Sequence, residues 1–307
     1  MIKALRKPLC LHRGDVIGVI SPAAAVEEEK LRRGCDELER LGFAVQVGSH
    51  ALDRYRFLAG TDSDRAGEVT LMFQDPAVKA ILCSRAGYGS GRLLPFLDFP
   101  TLARHPKIFL GYSDVTLLLN ALVQKAGLVC FHGPVVAGEF ANGFSPRSLA
   151  HLLGLLTTGR GEETIAFPTV LRPGVAEGRL LGGCLSVLVT TLGTPFALNT
   201  DGAILFIEDI GEKPYRIDRM LTQLKQAGKL AGLAGVIFSG MRSCFGDGND
   251  PALLLSVIMD VFADYSYPIG FGLPAGHDGE NLALPLGTRV RLDTQQRHLA
   301  FLEPAVE

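Results

Sequence analysis

Short β-branched runs alternate with amphipathic stretches through the first half of the chain, and this alternation limits the fold more than any other feature. Residues 15–20 (DVIGVI) read as a buried strand, and residues 26–41, acidic at their start, read as a helix aligned with its dipole. Strands follow at 43–47, 78–83, 107–110 and 128–131. Helices fall between them near 62–73, from about 90, and over 114–126, the last ended by Gly127. The pattern predicts a mostly parallel sheet with helices on both faces, and such sheets bind ligands at the carboxyl ends of their strands.

After a helix near 145–156 the pattern weakens into TTGRGEET and FPTVLRPG, which predicts a linker over 158–177. It divides an N-terminal domain, 1–157, from a C-terminal domain, 178–307. The second half restarts with a strand at 203–207, a helix over 214–227 with Ile217, Leu221 and Leu224 on one face, and a strand at 234–238. A helix near 252–262 and several short strands between 267 and 301 complete it. The expected class is therefore α/β, with two domains that each have their own sheet.

Charge and composition remove several classes of function. Thirty basic residues against 32 acidic ones give a net charge of −2, without the basic patch of a nucleic-acid or membrane-surface binder. No apolar run approaches the ~20 residues that span a bilayer, and residues 1–15 lack the apolar core of a signal peptide, so the expected location is cytoplasmic. The six cysteines show neither C-x-x-C spacing nor a Cys/His cluster and read as reduced thiols in or near a core. Glycine is in excess, 36 of 307 residues or about 12% against a usual ~7%, with no repeat to explain it. The surplus sits in separate turns, and four of these follow strands and carry reactive residues.

The first is Ser84-Arg85-Ala86-Gly87-Tyr88-Gly89-Ser90-Gly91-Arg92, whose alternate glycines expose backbone N–H groups suited to an anion or oxyanion. Its G-x-G-x-G spacing is neither the dinucleotide fingerprint nor the Walker pattern. The second, Gly111-Tyr112-Ser113-Asp114-Val115, runs from strand to helix. There Ser113 is either an exposed nucleophile with the Asp114 N–H beside it, or Ser113 or Asp114 is a helix cap. The third, Glu208-Asp209-Ile210-Gly211-Glu212, offers three acids, any of which could orient an imidazole or belong to a solvated loop. The fourth, Gly270 through Asn281, places His277 among glycines and prolines with little apolar surface to pack on. His132, in Phe131-His132-Gly133-Pro134, also follows a strand; His12, His50, His105, His151 and His298 lack such support.

These segments together resemble the LD-carboxypeptidases, serine peptidases that include the muramoyltetrapeptide carboxypeptidases and the microcin C7 self-immunity proteins. The likeness runs almost end to end. It is carried by Gly14-Asp15-Val16-Ile17 with Ser21-Pro22, Phe57-Leu58-Ala59-Gly60-Thr61-Asp62 with Arg65, the Ser84–Gly89 and Gly111–Thr116 segments, and Phe131-His132-Gly133-Pro134. Gly182-Gly183-Cys184-Leu185-Ser186, Glu208 through Glu212, Tyr215 through Leu221, and Gly276-His277 with Asn281 and Leu284-Pro285-Leu286-Gly287 continue it. Ala86 and Cys184 depart from the family pattern, which has Gly and Asn there.

The resemblance implies Ser113 as nucleophile, Glu208 as the acid and His277 as the general base, with the amides of Asp114 and Gly87 as the oxyanion hole. It also implies a Rossmann- or flavodoxin-like N-terminal sheet, a C-terminal domain with a small barrel-like sheet, a cleft between them, a homodimer, and neither a metal nor an organic cofactor. The implied reaction removes the terminal D-Ala from murein tetrapeptides during peptidoglycan recycling. Arg85, Tyr88, Arg92 and His132 are the candidates for contact with the peptide, the arginines either serving its carboxylate or pairing with acids of the fold. Two rivals are a hydrolase of peptidyl nucleotides of the microcin C7 type, weakened by the lack of Trp, and a non-catalytic peptide-binding protein, which has no need of Ser113, Glu208 and His277 together.

Overall fold

The computed structural model describes residues 5–246, 248 and 250–307. The chain forms two compact units. Unit one comprises 1–161 with 282–286 and 304–307, and unit two comprises 162–281 with 287–303.

Unit one is built on β1 (Val16–Ile20), β2 (Ala44–Val47), β3 (Val78–Cys83), β4 (Ile108–Gly111) and β5 (Cys130–His132), all paired in parallel. The helices predicted between them form. The first, α1 (Glu28–Arg40), carries Glu28 and Glu29 in its first turn and buries Leu31, Gly34 and Leu38. The next, α2 (Asp62–Gln74), is capped by the Thr61 hydroxyl, which accepts the Asp64 N–H. After β4 the helical backbone runs from Ser113 to Ala126 and stops at Gly127, φ +68, in the left-handed conformation typical of a helix end.

In this sheet β1 lies between β2 and β3, so successive connections leave it in opposite directions. The switch point falls at the carboxyl ends of β1 and β3, where ligands of open α/β sheets bind. The glycine loop 84–92 starts there.

A sixth strand, Leu284–Leu286, pairs antiparallel with β5 at the sheet's edge, with Leu284 opposite His132. Sequence reading assigns this strand to the second half of the chain, whereas here it completes the first sheet. His151, wholly buried, bonds the carbonyl of Ala283 at 2.8 Å and fixes the returning segment.

Where the composition predicts a linker over 158–177, the chain forms β6 (Thr164–Ala166), β7 (Thr169–Arg172) and the first part of β8 (Val175–Cys184). The glycines and prolines that suggest a loop, Gly159, Gly161, Pro168, Pro173 and Gly174, lie before or between these strands. Next come β9 (Ala203–Glu208), β10 (Gly235–Ser239) and β11 (Ile269–Leu273), then β12, the Leu284–Leu286 strand of unit one, and finally β13 (Arg289–Asp293) and β14 (His298–Phe301). The helix Pro214–Gln226 buries Ile217, Leu221 and Leu224 as the spacing predicts.

The eight strands of unit two run in the order β6-β14-β13-β8-β9-β10-β11-β7. Strands β6 and β7 are therefore the two edges, yet only Phe167 and Pro168 join them. Edges of a flat sheet of this size are about 34 Å apart, whereas three peptide steps span at most about 11 Å. The sheet must curl until its edges meet at this corner, which gives the barrel-like form. No ladder joins β6 to β7 among the described residues.

The contact of β8 with β9 leaves no room for a side chain at Gly182, whose φ is +124; an added Cβ would lie 1.9 Å from the Phe206 carbonyl oxygen. Gly193 also has a positive φ, +81, but an added Cβ there meets nothing within 4 Å. Gly193→Ala is expected to cost about 1 kcal/mol from backbone strain alone, and Gly182→Ala more than about 3 kcal/mol because β8 must also move off β9. Thermal or urea melts of the two variants measure the difference, and equal losses contradict the packing argument.

Candidate active site

Ser113 is separated from β4 by Tyr112 alone and opens the helical stretch that continues to Ala126. Its neighbour Tyr112 is extended, φ −147 and ψ −172, while Ser113 itself has φ +62. The left-handed region is costly for a residue with a side chain, by about 1–3 kcal/mol. Ordinary capping residues sit in extended backbone, as Thr61 does at −72. The conformation is instead that of a strand-to-helix elbow, which turns a side chain out at the end of the sheet.

The Asp114 side chain holds this elbow to the glycine loop. The Ser90 amide donates to Asp114 Oδ2 at 2.8 Å and the Ser90 hydroxyl to the Asp114 carbonyl at 2.6 Å. Burial pushes the Asp114 carboxyl above the usual carboxylate range, opposed by those bonds. Gly87 and Gly89 have φ of +103 and +130, and Gly87 is exposed. Ala86 has no positive φ, so its departure from the family's glycine fits the loop as it stands.

A buried arginine supports the loop from below. Arg65 Nη1 donates to the carbonyls of Pro22 at 2.6 Å and Gly89 at 3.0 Å, while Nη2 bonds Asp62 at 2.5 Å. Arg92 grips the same carboxylate, with Nη2 to Oδ2 at 2.6 Å and Nε to Oδ1 at 2.8 Å. Arg85 donates to the Ala25 carbonyl at 2.9 Å. Tyr88 is exposed, with its ring 5.6 Å from that of Phe57. His132 lies wholly buried in β5, its ring edge-on to Tyr112.

Unit two brings Glu208 and His277 together. Glu208 ends β9 with no solvent exposure. His277 Nδ1 donates to Glu208 Oε2 at 2.6 Å, and the His277 backbone N–H reaches the same oxygen at 3.2 Å. Because the carboxylate holds the proton on Nδ1, Nε2 is the nitrogen able to accept a proton from a nucleophile. Gly276 makes this approach possible. Its φ is +81, and an added Cβ would lie 2.6 Å from Glu208 Oε2. The Gly276 amide donates to Asn281 Oδ1 at 2.9 Å, which closes the loop across five residues.

The other acids of the 208–212 segment have different work. Asp209, also buried, accepts the Ser186 amide at 2.7 Å and its own neighbour's, Ile210, at 2.8 Å; burial raises its carboxyl above the usual range. Cys184 points into this cluster, 3.4 Å from the Ser186 hydroxyl and 3.8 Å from Asp209 Oδ1. Glu212 pairs with Arg216 at 3.4 Å.

Sequence reasoning did not identify Ser90, the Asp114 side chain, Gly276 or Asn281 as structural supports. It quoted Arg65 and Asn281 within motifs without giving either a task. The signal available was slight: a cationic side chain in the first turn of α2, and an amide four residues after the histidine.

The sequence matches the family models described as LD-carboxypeptidase N-terminal domain, over residues 17–133, and LD-carboxypeptidase C-terminal domain, over residues 177–292. It is 40% identical over 304 residues to the probable murein peptide carboxypeptidase of Bacillus subtilis (strain 168), covering 98% of this chain and 95% of that protein. Against the microcin C7 self-immunity protein MccF of Escherichia coli the identity is 29% over 336 residues, 97% of this chain and 96% of that one. The crystal structure of muramoyltetrapeptide carboxypeptidase from Oxalobacter formigenes superposes with a TM-score of 0.83 at 32% identity, over 92% of this chain and 97% of that chain. With both domain signatures in order along the chain and a relative of this identity spanning nearly its whole length, the protein belongs to the LD-carboxypeptidase family.

Proposed function

We propose that the protein is a serine LD-carboxypeptidase that releases the terminal D-Ala from murein tetrapeptides, with Ser113, His277 and Glu208 as its triad. The observation that carries this reading is the His277 Nδ1–Glu208 Oε2 bond of 2.6 Å, made by a histidine whose side chain is only 15% exposed and an acid that is fully buried. A histidine held in one tautomer by a buried carboxylate is prepared for general base work. Ser113 at its left-handed turn is the nucleophile this base would serve. The names of the relatives from Bacillus subtilis and Oxalobacter formigenes support the murein peptide as substrate.

In this mechanism His277 Nε2 takes the Ser113 proton as Oγ attacks the carbonyl carbon before D-Ala. The Glu208 carboxylate stabilises the imidazolium that results. The backbone N–H groups of Asp114 and Gly87 hold the oxyanion of the tetrahedral intermediate. That intermediate collapses as His277 passes its proton to the leaving amine, and D-Ala departs. Water, deprotonated by the same imidazole, then hydrolyses the Ser113 ester and restores the enzyme.

The cytoplasmic location and the homodimer are part of the same proposal, as are the peptide contacts of Arg85, Tyr88, Arg92 and His132. No helix among the described residues is long and apolar enough to cross a membrane.

Ser113→Ala is expected to lower kcat for D-Ala release from a purified tetrapeptide by about 10⁴-fold or more. Equal release by the variant and the parent rules out Ser113 as nucleophile. Glu208→Gln keeps the shape of the acid but not its charge, and is expected to reduce kcat by about 10³-fold or more with KM changed only a few-fold. Steady-state kinetics separate the two constants, and an unchanged kcat removes Glu208 from the mechanism.

A further inference from the structure

A carboxypeptidase must recognise a free carboxylate one residue beyond the bond it cuts. The surroundings of His277 in unit two are unfavourable for such a group, because Glu208, Asp209 and Asp278 are all carboxyl groups buried or half-buried in this region. A nearby cation is needed to receive a second anion. Arg92 is already engaged by Asp62 through two nitrogens, and it and Arg85 both belong to unit one, not to the unit that carries His277.

Arg242 is placed differently. It follows β10, is exposed, and its Nη1 donates to the His277 carbonyl oxygen at 3.3 Å. Its two neighbours in the chain, Met241 and Ser243, both lie in the left-handed region at φ +51 and +56, although neither is glycine. Several contacts hold this turn in place. The Met241 side chain is completely buried, the Cys244 amide donates to the Met241 carbonyl at 3.1 Å, and the Gly211 amide donates to the Arg242 carbonyl at 2.9 Å. Two strained residues on either side of one position persist only where the surrounding structure fixes them, and such positions concentrate at functional sites. Here the strained turn carries one guanidinium to the backbone of the histidine loop.

We infer that Arg242 binds the terminal carboxylate of the peptide and sets a requirement for a free C-terminus; this rests on the reading of His277 as general base. The leaving amine receives its proton at His277, and its carboxylate carbon is only two bonds from that nitrogen, about 2.5 Å away. An arginine anchored on the same loop is therefore at the correct end of the peptide. Its planar fork of N–H donors matches a carboxylate in two parallel bonds, which a lysine cannot reproduce. Asp278 is the competing partner. Its half-buried carboxyl, raised by burial, accepts the Gly240 amide and feels the charge of Arg242. An arginine that only balanced Asp278 would not distinguish one peptide end from another.

The test uses the full-length Ser113→Ala protein, so that binding is measured without turnover. Calorimetry compares a tetrapeptide ending in D-Ala with the same peptide ending in the carboxamide. The free acid is expected to bind at least about 10-fold tighter. Adding Arg242→Gln is expected to bring the two affinities within about 2-fold, and Arg242→Lys to retain part of the preference. A preference that survives in Arg242→Gln overturns the inference, as does its absence from the Ser113→Ala parent. Hydrolysis persisting in the Ser113→Ala protein counts against the proposed nucleophile alone, because the acid-to-amide ratio still reports on Arg242.

Discussion

Burial of the Glu208 carboxylate imposes the strongest local demand on unit two. A carboxylate at the end of an apolar strand, with no solvent exposure, is stable there only if partners replace its water. His277 provides two N–H groups to one of its oxygens, and much around them serves to keep that histidine in place. Gly276 removes the side chain that would collide with the acid, and Asn281 ties the turn closed. An ion pair of this kind adds little to stability on balance, because desolvation offsets the attraction. Its value lies in fixing one ring in one tautomer.

Unit one solves a related problem with different means. A left-handed serine and a loop of glycines are conformations that an isolated chain does not keep. They are held by polar groups drawn into the interior: Asp114 grips Ser90, and Arg65 bonds the Gly89 carbonyl while resting on Asp62. Both side chains sacrifice hydration, which is reflected in the raised carboxyl of Asp114 and the lowered guanidinium of Arg65. The same hydrogen bonds that compensate for this loss set the loop's distance from the elbow.

Much of the first sheet was legible because hydrophobic period and helix caps are local signals. The run 78–83 became a strand with those bounds, and Gly127 ended its helix as expected. The segment 158–177 was not legible. Its glycines and prolines, Gly159, Gly161, Pro168, Pro173 and Gly174, locally signal a loop, while the short strands among them are defined by partners far along the chain, β6 by β14 and β7 by β11. The destination of Leu284–Leu286 was hidden for the same reason, since nothing in three apolar residues names the strand they will join. At the site, composition and position left the choice among Glu208, Asp209 and Glu212 open, and the family resemblance alone pointed to Glu208. All three lie at the end of the same strand, and the direction each side chain takes gives one to His277, one to Ser186 and one to Arg216.

The assignment of residues 282–286 and 304–307 to unit one has a consequence for the order in which the protein is made. On a ribosome, residues 1–161 emerge first, but they lack the strand that covers β5 and the segment that Pro8 and Cys10 bond through Glu307. Unit two is interrupted in its turn, because β13 and β14 follow the strand Leu284–Leu286 that belongs to unit one. The edge of the sheet bearing Ser113 is therefore covered only by a strand synthesised after the loop that carries His277.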